Sequence, residues 1–332
     1  MITALLFTLL TAQPQVVLGG LDPLELIAGK EVPGSATHSA TVGRHIYYFS
    51  SAENKKKFEA NPYAYAVQNG GACGRMGSMT GKGSPDRFAV VDKKIYLFAS
   101  DGCKSGFLSN LDDYRVPPDA PPKATPEQVK KAKDLHASMM SAHGAKPGMT
   151  IEWVLESPYE QDGEQRLSVT SWSYRNDSQY AYWINWYGGS SFFVRDGSKA
   201  IEGQGDHAYQ MHPGEQRDFR AAIHHDPLFI AVGAGGTPVA SNGSAFTLAD
   251  KDIVTTVHLD DKSRIAMVEY VDRIGGYVRH VESRYSDYAT VDGFTYPQTR
   301  EMRIDGGKWG APRKITRVIV NGNLPDIFSR AK

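Results

Sequence analysis

The sequence predicts an α+β protein in two parts: a small module built on a duplicated strand–helix unit, then a long antiparallel β meander with accompanying helices. Three observations predict it. The run Tyr47-Tyr48-Phe49-Ser50-Ser51 recurs as Tyr96-Leu97-Phe98-Ala99-Ser100, and Phe58, Asn61, Tyr65 and Val67 recur as Phe107, Asn110, Tyr114 and Val116, always at an offset of 49. Register held over seven positions marks an internal repeat. Pro117-Pro118-Asp119-Ala120-Pro121-Pro122 then interrupts the chain, and from Met149 the hydrophobic period changes from helical to alternating.

Taken in order, the chain begins with an apolar run, Ile2, Leu5, Leu6, Phe7, Leu9 and Leu10, closed by Thr11-Ala12. It has the length of a secretory h-region and is too short to span a bilayer. Residues 1–12 are therefore expected to be a cleaved signal peptide, with the mature chain starting near Gln13 in a periplasmic or secreted location. No Lys or Arg precedes the run, so an uncleaved apolar N-terminus is the alternative. No other stretch is apolar for long enough to be a transmembrane helix. Lys and Arg number 37 and Asp and Glu 37, a balance that supplies no field for nucleic acid or anionic lipid.

The module over 21–116 comes next. Each copy reads as an aromatic strand followed by a short helix whose Phe faces a shared core. Its first copy carries Leu21-Asp22-Pro23-Leu24, Gly29-Lys30, Gly34, Thr41-Val42-Gly43, Tyr47-Tyr48-Phe49, Ser51-Ala52-Glu53-Asn54, Phe58, Asn61-Pro62, Tyr65 and Gly70-Gly71-Ala72-Cys73. In these residues it resembles the YHS domain, a small module of secreted, periplasmic and metal-handling proteins. The metal-binding branch of that family places cysteines where this chain has Leu24, Ser50 and Asn54. The chain is thus similar to the branch without those cysteines, and tight metal binding is not expected. Cys73 and Cys103 leave three readings open: a disulfide, two buried thiols, or a residual metal site.

Residues 117–125 are read as a stiff Pro-rich linker to a second domain over 126–332. Thr125-Pro126-Glu127-Gln128 supplies an N-cap with Pro at the first helical position, and the helix runs through Val129, Ala132, Leu135, Met139 and Met140 to Gly144. Strands are expected from Ile151-Trp153-Leu155 and Tyr182-Ile184-Trp186 alternation, and at 164–174, 190–196, 253–259, 264–271, 276–288, 294–304 and 313–320. One helical insert is expected near Pro213 to His225. Short turns between consecutive strands imply an antiparallel meander.

The opening helix with Ala142-His143-Gly144, Val194-Arg195-Asp196-Gly197-Ser198-Lys199-Ala200, Asp226-Pro227-Leu228, Ser286-Asp287-Tyr288, Val291-Asp292-Gly293-Phe294-Thr295-Tyr296-Pro297 and Val318-Ile319-Val320-Asn321 resemble the LolA-like superfamily of periplasmic carriers. The resemblance implies an incomplete antiparallel barrel that wraps helices and holds a lipid or lipoprotein acyl chain.

Catalytic signatures are missing from the sequence. It has no Gly-x-Ser-x-Gly, His-Glu-x-x-His, Cys-x-x-Cys or Walker loop, and Gly233-Ala234-Gly235-Gly236 fails the dinucleotide spacing because Pro238 stands at the last glycine. No catalytic residue and no cofactor is nominated. His207, His212 and the pair His224-His225 beside Asp226 read as capping or solvated residues, with zinc or copper ligation as the alternative, and His38 and His45 flank the first aromatic strand, where they could serve a vestigial metal site. The expected function is an exported, non-enzymatic carrier of a lipid or other apolar small molecule, with no protein partner identifiable. Its ligand wall would be Ile151, Trp153, Leu155, Tyr182, Ile184, Trp186, Phe192 and Val194, each set placed on one face by strand alternation. The competing readings are copper or zinc handling through the YHS-like module, and a hydrolase whose residues meet only in three dimensions.

Overall fold

The duplication extends to details that alternation alone does not encode. In the computed structural model, the first unit comprises β1 (Gln15–Val16), α1 (Pro23–Ile27), β2 (Ser35–Val42), β3 (His45–Phe49), α2 (Ala52–Ala60) and α3 (Pro62–Tyr65). The second comprises β4 (Ser84–Val91), β5 (Lys94–Phe98), α4 (Asp101–Leu108) and α5 (Leu111–Arg115). The hydroxyls of Ser51 and Ser100 each accept the third helical N–H of α2 and α4 at 3.1 Å, satisfying a donor the helix cannot. Phe58 lies 4.8 and 5.0 Å from the Tyr47 and Phe49 rings, and Phe107 lies 4.9 and 5.2 Å from Tyr96 and Phe98. Even the bulge is repeated, between Ser35 and Ser39 in β2 and between Ser84 and Phe88 in β4. Parallel bridges Val67–Ile95 and Cys73–Leu97 dock the units on one another.

The structure describes residues 14–328 apart from 79–80, 116–119, 162, 187–188, 206, 275–276 and 323–326. The expected signal segment 1–12 and the first residues of the Pro-rich linker lie outside the described residues.

After the linker, α6 (Pro126–Ala142) opens on a reciprocal cap. The Gln128 N–H donates to Thr125 Oγ1 at 3.3 Å, while the Thr125 N–H donates to Gln128 Oε1 at 2.9 Å. Six strands follow: β6 (Ile151–Gln161), β7 (Glu164–Asn176), β8 (Gln179–Trp186), β9 (Gly189–Asp196), β10 (Lys199–Gln204) and β11 (His207–Gln210). Two helices, α7 (Pro213–His224) and α8 (Pro227–Ala231), cross to the second set. That set is β12 (Thr237–Asn242), β13 (Ala245–Asp250), β14 (Ile253–Leu259), β15 (Ile265–Ile274), β16 (Tyr277–Val291), β17 (Phe294–Ile304) and β18 (Arg313–Val320).

All thirteen strands form one antiparallel sheet in the order β11-β10-β9-β8-β7-β6-β18-β17-β16-β15-β14-β13-β12. Each half is a meander, and the first and last strands of the domain, β6 and β18, join them. A sheet this wide curls under its own twist. Its ends β11 and β12 do not pair, so the barrel is incomplete. Helices α6, α7 and α8 fill the concave side, where Ala132, Met139, Phe219, Ile223 and Leu228 to Ala231 pack on Ile151, Tyr174, Tyr180, Phe193, Phe246, Val257, Val268 and Phe294.

A buried imidazole fastens α6 to the sheet. His143 Nδ1 donates to the Thr295 carbonyl at 2.6 Å, and its Nε2 accepts the Ile265 N–H at 3.1 Å. Burial holds its pKa below 6.5 against the opposing pull of the Thr295 carbonyl, so the ring is neutral.

The first module sits on the β10–β11 end through charges. Glu202 meets Lys82 at 2.5 Å and Arg44 at 2.9 Å, while Glu215 of α7 is fully buried with Lys82 at 3.4 Å. Burial first, then the Glu202 charge, pushes the Glu215 carboxyl up to about 7. Gly70 and Gly71 permit this closeness: both have positive φ, and a Cβ on either would collide with Glu215 or His45.

Candidate functional site

The concave wall begins as a row of rings. Strand pairing places Trp153, Trp172, Tyr182 and Phe193 side by side across β6 to β9, with centroid separations of 6.0, 4.3 and 5.8 Å. Much of the expected wall is filled. Tyr174 stacks on Phe229 at 5.3 Å, and Tyr180 meets Phe219 edge-on at 4.9 Å, so α7 and α8 occupy the space before β7 and β8.

The expected ligand residues therefore divide. Ile151 is core with no exposure, Tyr182 belongs to the aromatic row, Ile184 is half-buried, and the side chain of Trp186 lies outside the described residues. Phe192 and Val194 require a correction: they do not share the concave face with Trp153 and Tyr182. The β8–β9 register pairs Tyr182 with Phe193, which turns Phe192 and Val194 to the convex side. There they form a second core with Ala181, Trp183, Ile201 and Phe328.

Trp153 and Leu155 reach open space. Among the described residues, strands β17 and β18 pair at Thr299–Lys314 and Arg300–Arg313 alone, and β18 carries a bulge against β6 between Ile315 and Arg317. At this loosely paired seam lies a cavity of about 230 Å³, walled by Trp153, Leu155, Met302, Ala311 and Ile315 and opening beside the exposed residues 310–313. Arg300 and Arg313 also line it.

Behind the apolar wall is a polar floor. Arg300 stands directly opposite Tyr285 in the β16–β17 register, and its Nη2 donates to Ser283 Oγ at 3.1 Å. Its Nε is buried and makes no well-formed hydrogen bond; the buried Trp153 Nε1 leans to Asp226 and the Tyr285 hydroxyl to Ser283, each short of a well-formed bond. Asp226 lies nearby, capping α8 through the Leu228 N–H at 2.9 Å and the Phe229 N–H at 3.3 Å. Burial pushes its carboxyl up to about 7 despite the Arg300 charge and these bonds. Burial likewise raises the phenols of Tyr270 and Tyr285, which stay neutral beside the guanidinium. His225 stacks flat on Tyr270 at 3.8 Å and is held well below 6.5 by burial.

Leu24, Ser50 and Asn54 are drawn together by hydrogen bonds to one carboxylate. The buried Asp22 carboxylate caps α1 through the Leu24 N–H at 2.9 Å and accepts the Ser50 N–H at 2.7 Å, the Ser50 hydroxyl at 2.8 Å and Asn54 Nδ2 at 2.9 Å. Cys73 is buried and Cys103 half-buried; both are free thiols. Hydrogen bonds from Ser100 and Cys73 hold the Cys103 thiol below its usual range despite some burial. His212 caps α7, its Nδ1 accepting the Gly214 N–H at 3.0 Å. Among the described residues, no three His, Cys, Asp or Glu side chains converge as a metal site.

No family model matches the chain, and no curated protein matches it. Among solved structures it is similar to a LolA superfamily protein from Nitrosomonas europaea, at 10% identity and a TM-score of 0.37, covering 59% of this chain and 95% of that one. It is also similar to a DUF1329 family protein from Desulfovibrio piger, at 8% identity and a TM-score of 0.38, covering 62% and 99%. Likeness this loose leaves the function to be reasoned from the chain's own residues.

Proposed function

We propose that this chain is a carrier that holds an apolar molecule, such as an acyl chain, in the cavity at the β6–β18–β17 seam and does no chemistry on it. The observation that supports this is the cavity itself, which the helices leave unfilled although they pack the rest of the concave face. An enclosed apolar space of about 150 Å³ suffices for benzene. On that scale the 230 Å³ here takes roughly nine carbon atoms. Burying that many methylenes is worth about 7 kcal/mol before the cost of association. Export, with residues 2–10 as the h-region, belongs to the same reading.

Titration with a fluorescent fatty-acid analogue tests it. Saturable binding is expected, abolished by Trp153→Glu or Ile315→Glu, which place a charge on the apolar wall, and retained in Asn185→Glu at an exposed position. Absence of saturable binding, or equal binding by all three variants, would overturn the carrier reading.

A further inference from the structure

The cavity that accommodates the tail has a charged lining of one sign. Arg300 and Arg313 both face it, on directly paired positions of β17 and β18, and no carboxylate is among its lining residues. Arg300 is the inner of the two. Its guanidinium makes one well-formed hydrogen bond, to Ser283 Oγ, with a long contact to the Met302 sulfur and a weaker approach from the Tyr270 hydroxyl. The Asp226 carboxyl acts on it electrostatically without a close ion pair among the described residues. A guanidinium carries five donors, and leaving them unmet in an apolar surround is costly. Trp153, only 6% exposed, turns a second incompletely satisfied donor, its Nε1, to the same surroundings. That indole N–H is drawn toward Asp226 but falls short of a well-formed bond.

Neighbouring groups of the chain supply only part of the counter-charge. Asp226 is the acid that faces Arg300; its Oδ1 is engaged in capping α8 through both N–H groups, and burial keeps the carboxyl only partly ionised near neutral pH. Tyr270 and Tyr285 are neutral and contribute no charge. A half-buried guanidinium with spare donors and no full counter-charge, at the inner side of an apolar cavity, is complementary to an oxyanion on an apolar chain.

Resting on the carrier reading, we infer that the ligand is an anionic amphiphile, a single-chain carboxylate or phosphate, whose head is received by Arg300 and Trp153 Nε1 while its tail lies along Leu155, Met302 and Ile315. Arg313 at the exposed rim draws the anion in. The site thereby distinguishes a fatty acid from the alcohol or amine of equal length.

The test compares decanoate, decyl phosphate, decanol and decyltrimethylammonium as competitors of the fluorescent probe on the full chain. At least one anion is expected to bind tenfold or more tightly than decanol, and the cation more weakly than decanol. The tighter of the two anions identifies the head. Arg300→Gln should bring the best anion to within about threefold of decanol, and Arg300→Lys should restore part of the preference. Should Arg300→Gln fail to fold, the unmodified chain still decides through the four competitors, and Trp153→Phe should weaken the anion alone. Equal binding of all four amphiphiles would overturn the anionic head and leave the carrier reading standing. Binding of none would overturn both.

Discussion

His143 offers the sharpest test of how the half-barrel is held. Replacing it by Phe keeps a flat ring in the same space but removes the 2.6 Å bond to the Thr295 carbonyl and the 3.1 Å bond from the Ile265 N–H. Two such bonds contribute about 1 kcal/mol each, and a buried N–H left without an acceptor costs a further 1–3 kcal/mol or so. A loss of about 3–5 kcal/mol is expected in urea unfolding near neutral pH. The pH dependence supplies a second reading. The imidazole's folded pKa lies below its ordinary 6.5, so the unfolded chain binds the proton first as pH falls. Its contribution is full above 6.5 and is lost as pH falls toward the folded value. The parent should lose more stability than His143→Phe between about pH 8 and about pH 5. A loss below about 1 kcal/mol, or a variant as acid-sensitive as the parent, would refute the fastening role.

Three further outcomes follow from the same geometry. Asp22→Ala should destabilise the first module by about 3 kcal/mol through loss of a cap and several charge-assisted bonds. Because these bonds outweigh burial and hold Asp22 below 3.8, its contribution should persist above that value and vanish as pH falls through the folded pKa, which circular dichroism in urea would follow. Glu215 has the opposite sign: raised by burial, its contribution is present below 4.5 and lost as pH rises through about 7, so Glu215→Gln should flatten the stability profile in that window. In the reduced native protein a thiol reagent should modify half-buried Cys103 and spare buried Cys73 until urea is added; two fast equivalents would contradict the placement.

How far the sequence carried these conclusions depended on whether the information was local. Thr125-Pro126 announced the start of α6, because capping is read within three residues; Ser51 and Ser100 were matched as repeat positions, and the structure adds that they cap α2 and α4. The strands at β14, β16 and β17 were visible in their alternation. β10 to β13 were not: Gly203, Pro238 and Gly243 blur the period there, and many side chains are small. Ser191-Phe192-Phe193-Val194 is apolar in both phases, so only the register with Tyr182 reveals that Phe193 faces the concave side. Arg300 was illegible for a related reason. A lone arginine in a strand reads as exposed, and its burial arises from β16, which is adjacent, and β18, which closes the sheet onto β6.

The open ends of the sheet carry a consequence for how the two parts of the chain coexist. An unpaired edge strand is a template for another chain's edge, and a curled sheet that never closes has two of them. At β12 the hazard is met by α6, whose Gln128 carbonyl accepts the Ser241 hydroxyl at 2.9 Å. At the other end it is met by the duplicated module: the Arg44 guanidinium lies 5.3 Å over the Tyr209 ring of β11, and Gly43 lies beside Gln210. The repeat thus serves the sheet as a stopper against self-association, and residues 126–332 produced alone would present β11 bare and be driven toward edge-to-edge assembly.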